Sequence, residues 1–163
     1  MAGLQELLLF RHGIAEERGG PTPEPLRALT SAGIRRTTAV AERLALLGIR
    51  ADQLISSPLV RARQTAEIAV AAGLAGQLEI DGALAPDGDA LALVRSSGAG
   101  RLMLVGHEPD LGQLACQVLG APAGTVTLKK AGLAVIVLQP TPSLRLLLAP
   151  KVLLAAASAT ARS

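Results

Sequence analysis

Residues 7–17, LLLFRHGIAEE, run three leucines and a phenylalanine directly into an arginine, a histidine and a glycine. A short, unbroken apolar run that stops at a polar loop is the pattern of a strand buried on both faces. The first strand is therefore placed at residues 4–10, LQELLLF. Charged and titratable groups are expensive to desolvate. Arg11 and His12, at the carboxyl end of this strand, thus belong either to a surface turn or to a site built around them.

Outward from this strand, the chain alternates. A polar, proline-punctuated loop, EERGGPTPEPLRA, is followed by Thr30 as the N-cap of a helix over 31–47 that Gly48 closes. Ala32, Arg36, Val40, Leu44 and Leu47 share one face of it by spacing. DQLISS is a second short strand, and Ser57-Pro58 supplies an N-cap and a first-turn proline for a helix to Ala72, ended by Gly73. QLEID is a third strand, DALALVRSS a short helix, and RLMLVG a fourth strand, followed by His107 and a helix from Pro109 to Leu119. GLAVIVLQ and LRLLLA form a hairpin through Pro140-Thr141-Pro142, and KVLLAAASATARS reads as either a docked helix or a frayed end. Strand–helix alternation over 4–119 predicts an α/β protein, a three-layer α/β/α sandwich with a mostly parallel, mixed central sheet and a C-terminal hairpin. Residues 1–163 are expected to make one domain, with 151–163 docked or flexible.

Composition narrows the function classes. Half of the 163 residues are hydrophobic but only 1% are aromatic, so the core is aliphatic. The net charge is +3, and arginine supplies 13 of the 16 basic residues; its planar fork suits phosphate and carboxylate. Phe10 is the only aromatic residue, which leaves no platform for stacking bases; nucleic acid is not an expected partner. The single Cys116 excludes an intrachain disulfide and reads as a buried structural thiol. No apolar run approaches the ~18 residues of a membrane span, and no signal peptide is evident; a cytoplasmic location without membrane partners is expected.

Parallel sheets of this kind bind ligands beyond the carboxyl ends of their strands. His12 follows the first strand and His107 the fourth, so both histidines of the chain lie at that edge. Arg61, in SSPLVRARQTAE, falls in the first turn of the helix after the second strand, where side chains lean back toward the helix N-terminus and this same edge. Arg63 points to nearly the opposite face and reads as solvated. Attack on phosphorus needs a neutral imidazole with a free lone pair. Flanking cations disfavour protonating it and also neutralise an incoming phosphate. Gly13 would remove a side chain where backbone and substrate approach closely.

RHGIAEE, PLRALTSAG, SSPLVRARQTAE and VGHEPDLG, in this order over residues 5–150, resemble the histidine phosphatase (phosphoglycerate mutase-like) superfamily, and its small SixA-type phosphohistidine phosphatase branch in particular. The resemblance implies His12 as the phosphorylated nucleophile, with Arg11, Arg61 and His107 cradling the phosphoryl group. It also implies Gly13 and Arg27 as phosphate-binding positions, with Ala28 departing from the proline the branch usually has. No cofactor and no metal are implied, and the substrate is expected to be phosphohistidine in a protein of the phosphorelay type. Phosphatase activity on small esters such as sugar phosphates is the alternative, and a non-catalytic phosphate-binding module a second one.

Other residues carry plainer readings. SSGAGR is not a P-loop because no GK[ST] follows. Lys129-Lys130 reads as a solvated turn, Glu16 and Glu17 as loop surface, and Ser57 as a cap rather than a nucleophile. The DGD at 87–89 lacks a convincing set of partner ligands. No acid motif follows the third strand, so Asp81, Asp87 and Asp89 are the candidates for protonating a leaving group.

Overall fold

The computed structural model describes residues 3–160, with side chains through Ala155. In chain order the elements are β1 (Glu6–Arg11), α1 (Ser31–Leu46), β2 (Gln53–Ser56), α2 (Val60–Ala71), β3 (Glu79–Ile80), α3 (Ala90–Ser96), β4 (Arg101–Gly106), α4 (Asp110–Leu119), β5 (Leu133–Val137), β6 (Ser143–Leu148) and α5 (Pro150–Thr160). The six strands form one sheet in the order β3-β2-β4-β1-β5-β6. β3, β2, β4 and β1 pair in parallel, and β5 and β6 close the sheet as an antiparallel hairpin. The mixed α/β architecture expected from the sequence is therefore present.

β1 lies between β4 and β5, and Leu7, Leu8, Leu9 and Phe10 are completely buried. Strand alternation divides them between two cores. Leu7 and Leu9 pack with Val94 of α3 and Leu111 and Leu114 of α4, whereas Leu8 and Phe10 pack with Val40 and Leu44 of α1 and Ala62 and Ala66 of α2. Burying both faces of its residues is what demanded the unbroken apolar run. The strand ends one residue later than expected: Arg11 still pairs with Gly106 of β4. His12 is thereby placed immediately beyond the sheet edge.

Several local expectations need correction. Thr30 does cap α1, its Oγ1 accepting from the Gly33 amide at 2.9 Å. The buried face of α1, however, is Gly33, Thr37, Val40, Ala41 and Leu44; Ala32, Arg36 and Leu47 are exposed. The contact is made by small residues: a Cβ on Gly33 would run into the Ile14 carbonyl. α2 starts at Val60 with Leu59 as its N-cap, and Ser57 lies before it, its Oγ accepting from the Leu59 amide. β3 is only two residues long and exposed. The chain after β6 is helical, with Leu153 buried in the α1/α2 core; residues 161–163 of that tail lie outside the described residues. No helix among the described residues is long and apolar enough to cross a membrane.

Candidate active site

The carboxyl ends of β1, β2 and β4 open into a cavity of about 780 Å³ whose wall includes Arg11, His12, Arg27, Arg61 and His107. Four of the site residues expected from the sequence thus converge with Arg27, although 95 residues of chain separate His12 from His107. The two imidazoles lie 5.2 Å apart between ring centroids, inclined at 54°.

His12 is 6% exposed, and its Nδ1 lies 2.7 Å from the Gly13 carbonyl oxygen. A carbonyl can only accept, so Nδ1 carries the proton and donates, leaving the lone pair on Nε2. Burial, followed by the charges of His107, Arg61 and Arg11 against an opposing pull from the Gly13 hydrogen bond, lowers its pKa to about 3. The ring is neutral at any physiological pH, with a free lone pair. His107 is 4% exposed and is lowered to about 4, first by burial and then by Arg61.

Ser57 holds the ring of His107. Its Oγ accepts from the Leu59 amide at 3.2 Å and lies 2.8 Å from His107 Nε2. His107 Nδ1, together with Arg11 Nε and Arg61 Nε, is buried without a hydrogen-bond partner. Two unpartnered guanidinium donors beside an unpartnered imidazole nitrogen at one cavity suit a group carrying several anionic oxygens. The Ser57 cap reading is therefore replaced by a role in orienting His107.

Both arginines are fixed from behind. Arg11 donates from Nη1 to the Leu128 carbonyl at 2.8 Å. Arg61, 2% exposed, donates from Nη1 to the Glu24 carbonyl at 2.9 Å and from Nη2 to Glu24 Oε1 at 3.0 Å. Arg27 grips the same carboxylate from Nε and Nη2, each at 2.7 Å. Hydrogen bonding from Arg27, with the charge of Arg61, holds the Glu24 pKa at about 2. Burial lowers the pKa of Arg11 and of Arg61, yet guanidinium remains charged in proteins. Glu24 is the residue of this cluster that sequence reasoning missed. Arg63 is exposed and pairs with Glu67 at 3.5 Å, away from the cavity.

Gly13 is not on the cavity wall. A side chain there would collide with Thr37 Oγ1, so the glycine lets the strand-end loop lie against α1 rather than admitting substrate. Its amide donates to Thr65 Oγ1 at 3.0 Å, and that hydroxyl donates to the Arg61 carbonyl at 2.8 Å, tying the loop to α2. Glu16 and Glu17 do line the cavity, and Glu16 accepts from the Ala28 amide at 3.2 Å.

Of the candidate acids, Asp81 and Asp89 accept from the Ala83 and Ala92 amides, capping the turns that follow them. Asp87 reaches the wall with φ at 64°. Asp110, also on the wall, has its pKa raised by burial, with the charge of Asp87 adding to the effect. Glu108 is raised by burial as well, but its Oε1 accepts from the Gly112 amide at 2.9 Å. Among the described residues no group of three or more His, Cys, Asp or Glu is placed to hold a metal ion.

Residues 7–85 match the Histidine phosphatase superfamily (branch 1). The chain is 42% identical over 135 residues to an uncharacterized protein of Picosynechococcus sp., covering 78% of this chain and 82% of that protein. Its fold is similar to a SixA protein of Agrobacterium tumefaciens assigned as a phosphohistidine phosphatase (TM-score 0.78, 24% identity, 90% and 99% of the two chains covered). It is equally similar to the protein histidine phosphatase SixA complexed with tungstate (TM-score 0.78, 20% identity, 91% and 99% covered).

Proposed function

We propose that this chain, which belongs to the histidine phosphatase superfamily, is a phosphatase that works through a phosphohistidine intermediate at His12 and takes phosphohistidine in a protein as its substrate. The observation that carries this reading is the neutral His12 ring, proton on Nδ1 and lone pair on Nε2, beside two anchored guanidinium groups and the unpartnered Nδ1 of His107.

In the first step Nε2 of His12 attacks phosphorus and the bond from phosphorus to the substrate nitrogen breaks. The departing imidazole takes up a proton from solvent water. In the second, the oxygen of a water molecule attacks the phosphorus on His12, the N–P bond breaks, and inorganic phosphate leaves as His12 regains its lone pair. Charge in such transfers spreads over three equatorial oxygens, so positioned donors are the main catalytic resource. Arg11, Arg61 and His107 supply them. Arg27 extends the cationic wall beside Arg61.

The leaving group favours the phosphohistidine reading. An alkoxide leaves poorly without a strong general acid; Asp81 and Asp89 are engaged as caps and Glu108 accepts from Gly112, which leaves Asp87 and Asp110 as the wall acids for such a group. Imidazole leaves far more readily. The cavity is walled by loop segments at 15–18 and 86–87 and by Lys130, an open approach for a side chain borne by a protein.

The direct test is competition between a phosphohistidine protein and a panel of phosphomonoesters, compared as kcat/KM. The phosphohistidine protein is expected to be preferred. An alkyl phosphate as the best substrate would transfer the assignment to small esters.

A further inference from the structure

Beside the catalytic cavity lies a second groove, of about 580 Å³, that shares Arg11 and Lys130 with it. Its apolar surface comes from Ile14, Ala149, Pro150 and Val152, and its charged positions besides Arg11 are Arg36, Lys129, Lys130 and Lys151. The chain has only three lysines, and the fold brings all of them here from two separate segments. Arg36 and the three lysines are exposed. Among the described residues none of the four has an ion pair or a side-chain hydrogen bond, whereas Arg18, Arg27, Arg61, Arg63, Arg101 and Arg145 are all paired with carboxylates. No acidic residue lines the groove.

Four unpaired cations around one concave apolar surface repel one another and raise the local potential without any internal compensation. Such a surface complements a ligand that brings both negative charge and an aliphatic group. A second phosphate of a small metabolite fits poorly, because the other four cations stand at exposed positions and Arg11, the one part-buried donor, also walls the catalytic cavity. A polypeptide fits both demands, and the shared Arg11 and Lys130 make its path continuous with the site of chemistry.

We infer that this groove docks an acidic, aliphatic-bearing segment adjoining the phosphorylated histidine of a protein substrate. The inference rests on the phosphohistidine reading above and adds to it a recognition surface outside the reacting atoms. Lys129 and Lys151 carry the test because neither lines the catalytic cavity.

Three probes separate the possibilities: a phosphohistidine peptide flanked by glutamates and a leucine, the same peptide with lysines for the glutamates, and phosphoimidazole. Wild type should favour the glutamate peptide over the lysine peptide by at least ~10-fold in kcat/KM, a gap that narrows with added salt. In the double variant Lys129→Glu/Lys151→Glu that preference should collapse or invert, while turnover of phosphoimidazole, which also reports intact folding, stays at the wild-type level. If wild type cleaves phosphoimidazole and both peptides alike, or the variant keeps the preference, the docking inference falls and the phosphohistidine reading stands. If wild type cleaves phosphomonoesters but neither phosphoimidazole nor the peptides, the phosphohistidine reading fails and docking with it. Charge-dependent binding to anionic vesicles with no discrimination between the peptides would assign the groove to a membrane surface instead and overturn the inference.

Discussion

Lowering the pH from 7 to 5 should destabilise this protein through its two histidines. In the unfolded chain an imidazole titrates near ~6.5, whereas folding lowers His12 to about 3 and His107 to about 4. Between these values the unfolded chain binds more protons than the native one, so stability falls as pH falls through this window. At pH 5 the unfolded imidazole is mostly protonated and the folded one is not, a difference of ~2 kcal/mol for each histidine and ~4 kcal/mol for the pair. Both rings are less than a tenth exposed, so solvent screening takes little from this figure. Glu24, held at about 2, loses its stabilising effect only as pH falls below the ordinary glutamate range toward that value, whereas Glu108 and Asp110, raised by burial, bind protons in the native state first and offset part of the histidine loss. The chain has no Trp and no Tyr, so far-UV circular dichroism in urea is the suitable assay. A loss of ~4 kcal/mol should lower the midpoint by ~2 M urea, and the double variant His12→Asn/His107→Asn should lose less than a quarter of that. An equal pH-dependent loss in wild type and variant would refute the assignment of neutral, desolvated imidazoles.

The remaining predictions concern turnover. His12→Ala should abolish it with little change in thermal stability at pH 7, and wild type quenched during turnover should carry acid-labile phosphate on His12; steady hydrolysis by the variant would sink the nucleophile assignment. Arg61→Ala should cost at least ~100-fold in kcat/KM, the scale of a lost transition-state donor, whereas Arg63→Ala, which breaks only the exposed pair with Glu67, should cost little. Excess chelator should leave the rate unchanged and vanadate should inhibit; restoration by a divalent ion after chelation would redirect attention to the carboxylates near 87–89. Asparagine at Asp81, Asp87 or Asp89 should spare phosphoramidate hydrolysis, and Asp110→Asn should slow only substrates with basic leaving groups, as a comparison of alkyl phosphate with phosphoimidazole would reveal.

The site was legible where chemistry and topology coincide along the chain. His12 and His107 each follow a strand whose apolar run is continuous, and in a parallel sheet adjacent strand ends must meet. Arg61 could be placed although the predicted start of α2 was wrong, because moving the helix start to Val60 leaves it in the first turn. Glu24 was not legible. It is one acid in a proline-rich loop, 37 residues from Arg61, and only the folded chain brings them together. The face of α1 was misjudged because periodicity weighs apolar residues, whereas Gly33 and Thr37 are selected by the close approach of the strand-end loop. Gly13 failed for the same reason: the neighbour requiring its small size is Thr37 rather than a ligand.

Acid sensitivity and catalytic competence have a common physical origin here. Removing water from His12 makes its charged form costly, which keeps the lone pair available, and the same step forces Arg11 and Arg61 to hold positive charge in partly desolvated surroundings. Those charges persist because they are braced: Leu128 takes one hydrogen bond from Arg11, while Glu24 takes two from Arg61 and two from Arg27. Bracing also removes the reorganisation that free guanidinium groups would undergo as charge shifts during transfer, which is the condition for electrostatic catalysis. On the proposed function, a carboxylate outside the reacting atoms would therefore set how well Arg61 and Arg27 serve the phosphoryl group. Substituting Glu24 by alanine should weaken catalysis through misplaced arginines even though it makes the cavity more positive, and a faster Glu24→Ala enzyme would show that net charge, not placement, controls the rate.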